Sequence, residues 1–417
     1  MTRTEERLQD ALRAQAARVE DNRLRPLPAL ETAPRRHTAW LVPAAAAMSV
    51  LLIVALAVTL AGRSHKGAPS AGYPALPAGF PKYFAQFGDP PQLDVVIRST
   101  STGAEVTSVS APNIQGFRLT PLDIAAAPDG RTFYVSYRVV DLSKRSDPGQ
   151  IWIYQYTWAN HADASQSGSL EWIKGNPFPG NGLLVNGGSM AVSPDGSKLA
   201  LTDNTKQLSG QSWPDAIIVV DLRTGARSTW QGGMSRPGQT FAIPGISWTP
   251  DGRSLVFRAV WCRPIPNSSV CLDQPGQPGY RGTQVRSLDV GTKSGTLEHG
   301  STLLLRQSSR YPVIADAVAG PDGELVLAVL SGPADVANLT IERVDTTGQR
   351  LGVLCRSTAY GTVGLPASVT LTPDSTLHYL LLAYDSPHGL VSGWLDHGRL
   401  RFLPARHPVP GLPITAW

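Results

Sequence analysis

The chain has 417 residues, 42% hydrophobic and 17% charged, with 40 Gly and 35 Pro; it is too apolar for a disordered chain and too rich in breakers for a helical bundle. Three Cys rule out a disulfide-dense small domain and a multi-cysteine zinc or iron–sulfur site. The formal charge is +5, but residues 1–39 hold 8 Arg against 6 acids, so the remainder is nearly balanced and has no nucleic-acid footprint.

In chain order, residues 1–39 form a stub in which Thr4 can cap a short helix to about Val19, with Leu8, Leu12, Ala16 and Val19 on one stripe. Such a helix cannot bury its own face. It reads as a solvated or membrane-surface element, with docking to a cytoplasmic protein as the sharper alternative. Pro26 and Pro28 end it. Residues 40–62 (WLVPAAAAMSVLLIVALAVTLAG) carry no charge, and as a helix they would span roughly 34 Å, enough to cross a bilayer.

That length, preceded by 39 residues, favours an uncleaved transmembrane helix over a secretory signal, although Thr59-Leu60-Ala61 could serve as a cleavage site. Arg23, Arg25, Arg35 and Arg36 precede it and Arg63, Lys66 and Lys82 follow, a slight bias toward a cytoplasmic N-terminus. Residues 63–89 include the Pro/Gly-rich tether GAPSAGYPALPAGFP, which leads into the mass of the chain, residues 90–417. The expected localisation is the cell membrane, with a single span and the bulk outside the cytoplasm.

From there one phrase recurs: Pro128-Asp129-Gly130, Pro194-Asp195-Gly196, Pro250-Asp251-Gly252, Pro321-Asp322-Gly323 and a decayed Pro373-Asp374-Ser375. Pro sets φ at the first corner, Asp bonds its own backbone, and Gly accepts positive φ. Apolar alternation before each copy and an apolar run after it predict a hairpin. These Asp residues read as turn formers, since one role in five places suits repeated architecture better than a single active site.

A second hairpin type, strand, Asp or polar residue, Thr-Gly, strand, is clearest at residues 217–230. It recurs at 93–109, 284–297, 340–354 and, loosely, 392–404, with 151–173 filling the same place through a longer turn. Two hairpins per period make a four-stranded sheet, and such sheets bury their faces only against one another. The predicted fold is all-β, a β-propeller, with six blades preferred and seven possible. Six blades need one further strand pair, from the region of residues 73–91 or from the tail.

The phrase seen in residues 191–201 and 246–257 resembles the TolB-type propeller repeat, over roughly residues 90–405. The resemblance implies architecture and says little about activity, because such propellers serve as scaffolds, as enzyme appendages and occasionally as enzymes. Stub, single span and propeller together also resemble membrane-anchored propeller proteins of actinobacteria.

No Gly-x-Ser-x-Gly elbow, zinc-protease motif, Cys-x-x-Cys or P-loop occurs. With the chain ending at Trp417, no hydrolase domain of the prolyl-oligopeptidase kind is expected, and neither are catalytic residues, a cofactor or a metal site. His388, His397 and His407 read as surface-loop residues rather than a shared metal site. Residues 151–158 (IWIYQYTW) place Trp152, Tyr154, Tyr156 and Trp158 on one strand face; packing between blades is expected, and an aromatic platform would require the hairpin to lie at the rim. Cys262 and Cys271, flanking a short loop, are a disulfide candidate outside the cytoplasm, and Cys355 reads as a buried strand residue.

The expected function is a membrane-anchored extracytoplasmic propeller that binds a protein, peptide or envelope ligand without catalysis. The alternatives are a sensor that couples the propeller to a cytoplasmic regulator such as a sigma factor, and a propeller enzyme such as a lactonase-like hydrolase.

Overall fold

The computed structural model describes residues 81–88, 94–144, 150–158, 170–174, 178–179, 189–203, 216–232, 240–262, 280–292, 294–332, 336–360, 369–373, 380–386, 389–396, 399–402 and 415–416, the strands after Pro373 by their backbone. All lie in one compact unit, Tyr73–Trp417. The stub, the apolar segment 40–62 and residues 63–80 fall outside them. Among the described residues no helix is long and apolar enough to cross a membrane.

The described residues form six sheets that follow one another along the chain, antiparallel except for one short parallel pair in the third. The first contains Tyr83–Phe87 (β1), Val95–Ser99 (β2) and Glu105–Val109 (β3). The second has Phe117–Ala126 (β4), Thr132–Asp141 (β5), Gln150–Thr157 (β6), Leu170–Trp172 (β7) and the short Phe178–Pro179 (β8). The third has Met190–Val192 (β9), Lys198–Asp203 (β10), Ala216–Asp221 (β11) and Arg227–Gln231 (β12).

The fourth has Thr240–Trp248 (β13), Ser254–Cys262 (β14), Tyr280–Asp289 (β15) and, after Gly295–Thr296 (β16) and the one-turn helix Leu297–Gly300 (α1), Ser301–Arg306 (β17). The fifth is Val313–Ala319 (β18), Leu325–Ser331 (β19), Val336–Val344 (β20) and Arg350–Tyr360 (β21). The sixth is Val369–Pro373 (β22), Leu380–Ser386 (β23), Gly389–Asp396 (β24) and Arg399–Phe402 (β25). The last strand, Thr415–Ala416 (β26), returns to pair with β1.

The fold is an all-β propeller. Two strands that the sequence repeats did not mark are β1, in the segment read as tether, and β26, in the tail. The middle strands β5, β10, β11 and β19 are buried along nearly their whole length, because each sheet packs on a neighbour at both faces. Five core clusters fill the interfaces between successive sheets, and alternate residues of one strand serve different clusters. Thus Val256 packs toward the fifth sheet and Phe257 toward the third.

One predicted hairpin differs. Residues 284–297 supply β15, but the chain then leaves the sheet: β16 pairs in parallel with β12 of the third sheet, and the true partner of β15 is β17. The Gly291-Thr292 turn signal is present; the strand after it is captured by the neighbouring sheet.

Candidate functional site

The Pro-Asp-Gly turns join the first and second strands of their sheets. Gly130, Gly196, Gly252 and Gly323 all have positive φ, between 62° and 77°, the conformation that favours Gly. Gly130 N–H bonds Ala127 O at 3.1 Å, Gly196 N–H bonds Ser193 O at 2.8 Å and Gly252 N–H bonds Thr249 O at 2.9 Å. Asp129 Oδ1 accepts the N–H groups of Arg131 and Thr132, both at 2.8 Å. Asp195 takes both the Ser193 hydroxyl (2.6 Å) and the Ser197 N–H (3.0 Å), and these bonds hold its carboxyl down at about 2. Asp251 takes the Thr249 hydroxyl (2.6 Å) and the Arg253 N–H (3.0 Å).

Pro321-Asp322-Gly323 is instead a 3-10 turn in which Asp322 itself has φ 58°. Pro373 ends β22 and Asp374 lies outside the described residues. The turns also stack: a Cβ on Gly196 would lie 3.7 Å from Pro128 Cδ, and one on Gly252 3.6 Å from Pro194 Cδ. Asp129, Asp195 and Asp251 thus bond groups of their own turns.

The first strands β26, β4, β9, β13, β18 and β22 lie innermost, and from β26 to β22 each touches the next. Side chains on them latch successive sheets. Asp123 Oδ2 accepts Met190 N–H at 2.6 Å, Ser189 Oγ accepts Ile246 N–H at 3.3 Å, Ser247 Oγ accepts Ala319 N–H at 2.9 Å, and Asp316 Oδ2 accepts Leu371 N–H at 2.8 Å. Asp123 and Asp316 stand beside bulges in β4 and β18, which turn the carboxylate toward the next strand.

Burial pushes the Asp123 carboxyl up to about 7, against the N–H bonds of Met190 and Ile124. Burial likewise pushes Asp316 up to about 6, against the nearby Arg258 guanidinium and the N–H bonds of Leu371 and Ala317. Arg258 donates to Ile314 O at 3.2 Å. Sequence reading missed this latch series, but a partial signal exists: the position five residues before the turn Pro reads Asp123, Ser189 and Asp316 in three sheets, while the fourth has Gly245 there and latches through Ser247.

The aromatic hairpin divides between core and surface. Tyr154, Tyr156 and Trp158 are buried in the cluster shared by the first and second sheets. From Phe87 a chain of rings runs outward: Phe87 to Tyr137 at 5.8 Å, Tyr137 to Tyr154 at 6.0 Å, Tyr154 to Trp172 at 5.5 Å, Trp172 to Trp152 at 4.6 Å and Trp152 to Phe117 at 5.9 Å. The outer members are open to solvent, Trp172 at 47% and Phe117 at 37%, with Leu142 beside Phe117 at 62%.

Trp152 is half-buried, its indole N–H bonded to Gln150 Oε1 at 3.1 Å. Phe117 faces Asp141 at the end of the β4–β5 ladder opposite the Pro-Asp-Gly turn. The rim position that a platform requires is thus met at Trp152, joined by Phe117 and Trp172, which the alternation in residues 151–158 could not reveal.

No protein-family model matches the chain, and neither does any curated protein. Among solved structures, the periplasmic gluconolactonase of Pseudomonas aeruginosa is similar at 14% identity and TM-score 0.37, over 77% of this chain and 81% of that one. Prolyl oligopeptidase B of Galerina marginata is similar at 10% identity and TM-score 0.34, over 78% of this chain and 51% of its own. A prolyl endopeptidase structure matches at 13% identity and TM-score 0.34, over 80% of this chain and 49% of its own. The chain spans about half the length of those two peptidases.

Among the described residues no three His, Cys, Asp or Glu side chains stand together as a metal site would need. His388, His397, His407 and Cys271 lie outside the described residues, and Cys262 is described by its backbone at the end of β14, so the disulfide expectation falls outside them. Cys355 is buried on β21, as expected.

Proposed function

We propose that this chain is a TolB-like propeller with six blades, anchored by residues 40–62 with its N-terminus in the cytoplasm, which binds a protein or peptide of the cell envelope without chemistry of its own. The observation that carries the reading is the Phe117–Trp152–Trp172 cluster: large rings, rigidly backed by the Tyr154–Tyr137–Phe87 chain, facing solvent at the edge of a sheet. Rings with few torsions anchor partners at little entropic cost, and such residues dominate protein interfaces. Gln150 and Glu171 supply an exposed polar margin. The inner-strand carboxylates Asp123 and Asp316 bond backbone N–H groups of the next sheet, which supports a holding role for them.

A photo-crosslinking residue at position 142 of the anchored full chain, in its native cells, tests the reading. One discrete adduct is expected, lost in Phe117→Ala and Trp172→Ala chains that still unfold cooperatively above the temperature of the assay. An adduct unchanged by both substitutions would overturn it.

A further inference from the structure

An open depression of about 440 Å³ on the fourth sheet is lined by Trp261, Gln284, Arg286, Glu298, His299 and Arg306. It shares no residue with the aromatic cluster. Three neighbouring strands present its floor: Trp261 of β14 is opposite Gly282 of β15, and Gln284 of β15 is opposite Arg306 of β17. The helix α1, which the β16 detour places beside the sheet, adds Glu298 and His299.

Arg286 is a fixed part of the wall. Its guanidinium donates to Ser301 Oγ at 2.8 Å, Gln284 Oε1 at 2.9 Å, Glu298 O at 3.1 Å and Ser301 O at 2.8 Å. Arg306 is exposed at the mouth. Burial lowers the Arg286 pKa; Glu298 opposes that, and Arg306 lowers it further, so the two guanidinium groups repel. One carboxylate faces two guanidinium groups, and an anion placed between Arg306 and the indole would relieve the excess charge.

We propose that this depression binds an anionic saccharide, with a pyranose ring lying on the Trp261 indole and its carboxylate or phosphate paired with Arg306. A planar guanidinium matches both anions, a tryptophan face suits a ring bearing C–H bonds, and Gln284 and His299 add an amide and an imidazole to the lining as hydroxyl partners. The volume falls within the range of small-ligand sites, about 300–1,000 Å³.

Calorimetry on the full chain in detergent tests this with four probes: a hexuronate disaccharide, a sugar phosphate, a neutral disaccharide and inorganic phosphate. At least one anionic saccharide should bind, and which one does identifies the source of the charge. Affinity should fall about tenfold or more in Arg306→Gln, be only partly kept in Arg306→Lys, which retains the charge but loses the planar fork, and fall in Trp261→Phe, with melting unchanged. Equal binding of the neutral disaccharide, inorganic phosphate binding as tightly as the sugar phosphate, silence of both anionic saccharides, or an Arg306→Gln chain of unchanged affinity would each overturn it. Because the crosslink at position 142 reads a different surface, the two ideas stand or fall separately.

Discussion

Gly245→Ala probes the latch between the fifth and sixth sheets without touching either. Gly245 lies on β13 opposite Arg258, and a Cβ there would stand 2.7 Å from Asp316 Oδ1. That carboxylate cannot simply turn away, because it accepts Ala317 N–H at 2.9 Å and Leu371 N–H at 2.8 Å. Displacing it strands one buried N–H, at about 1–3 kcal/mol, and overpacking adds about 1–3 kcal/mol before relaxation. We expect a net destabilisation of about 2–4 kcal/mol, read as a lower denaturant midpoint with unchanged slope.

Gly352→Ala is the control, since nothing lies within 4 Å of its Cβ position; it should shift stability by less than about 1 kcal/mol. In an Asp316→Ala background, Gly245→Ala should cost far less than alone, because the clash is gone. Additive effects in that cycle, or a Gly245→Ala chain as stable as the parent, would refute the latch.

The raised carboxyls of Asp123 and Asp316 hold protons in the folded chain that the unfolded chain releases, so their contribution is full below pH 4 and lost as pH rises through about 6 and about 7. The lowered Asp129, Asp195 and Asp251 act oppositely, stabilising above pH 4 and less so toward pH 2; denaturant midpoints should therefore peak near pH 4 and fall from there to about pH 7, and Asp123→Asn should flatten that fall. Asp251→Ala removes a turn acceptor and should cost about 1 kcal/mol, whereas Asp322→Gly, relieving φ 58°, should leave the melting temperature unchanged or raise it. Trp172→Ala, at a ring 47% exposed, should lower stability by less than about 1.5 kcal/mol while abolishing the position-142 adduct.

What could be read in the sequence is what short-range chemistry decides. Pro128-Asp129-Gly130 closes its turn with bonds between residues at most three apart, so the tripeptide carries its own structure. Period-two alternation put Tyr154, Tyr156 and Trp158 on one face, and that face is buried. What stayed hidden depends on distant partners. Asp316 bonds a residue 55 positions away, β26 finds β1 across nearly the whole propeller, and β16 goes to the neighbouring sheet rather than back to its own. The exposure of Phe117, Trp152 and Trp172 depends on where the first sheet stops covering the second, which no local pattern encodes. The depression at Trp261 and Arg306 depends on the same β16–α1 detour.

The proposed topology has residues 40–62 holding the propeller outside the cytoplasm. Spheroplasts carrying the full chain with an N-terminal tag, treated with protease and then with alkaline carbonate, test it most directly. The account predicts that the propeller is digested, the tag is protected, and the tagged fragment stays in the membrane pellet. A propeller that survives protease in sealed spheroplasts, or a full chain released by carbonate, would contradict it.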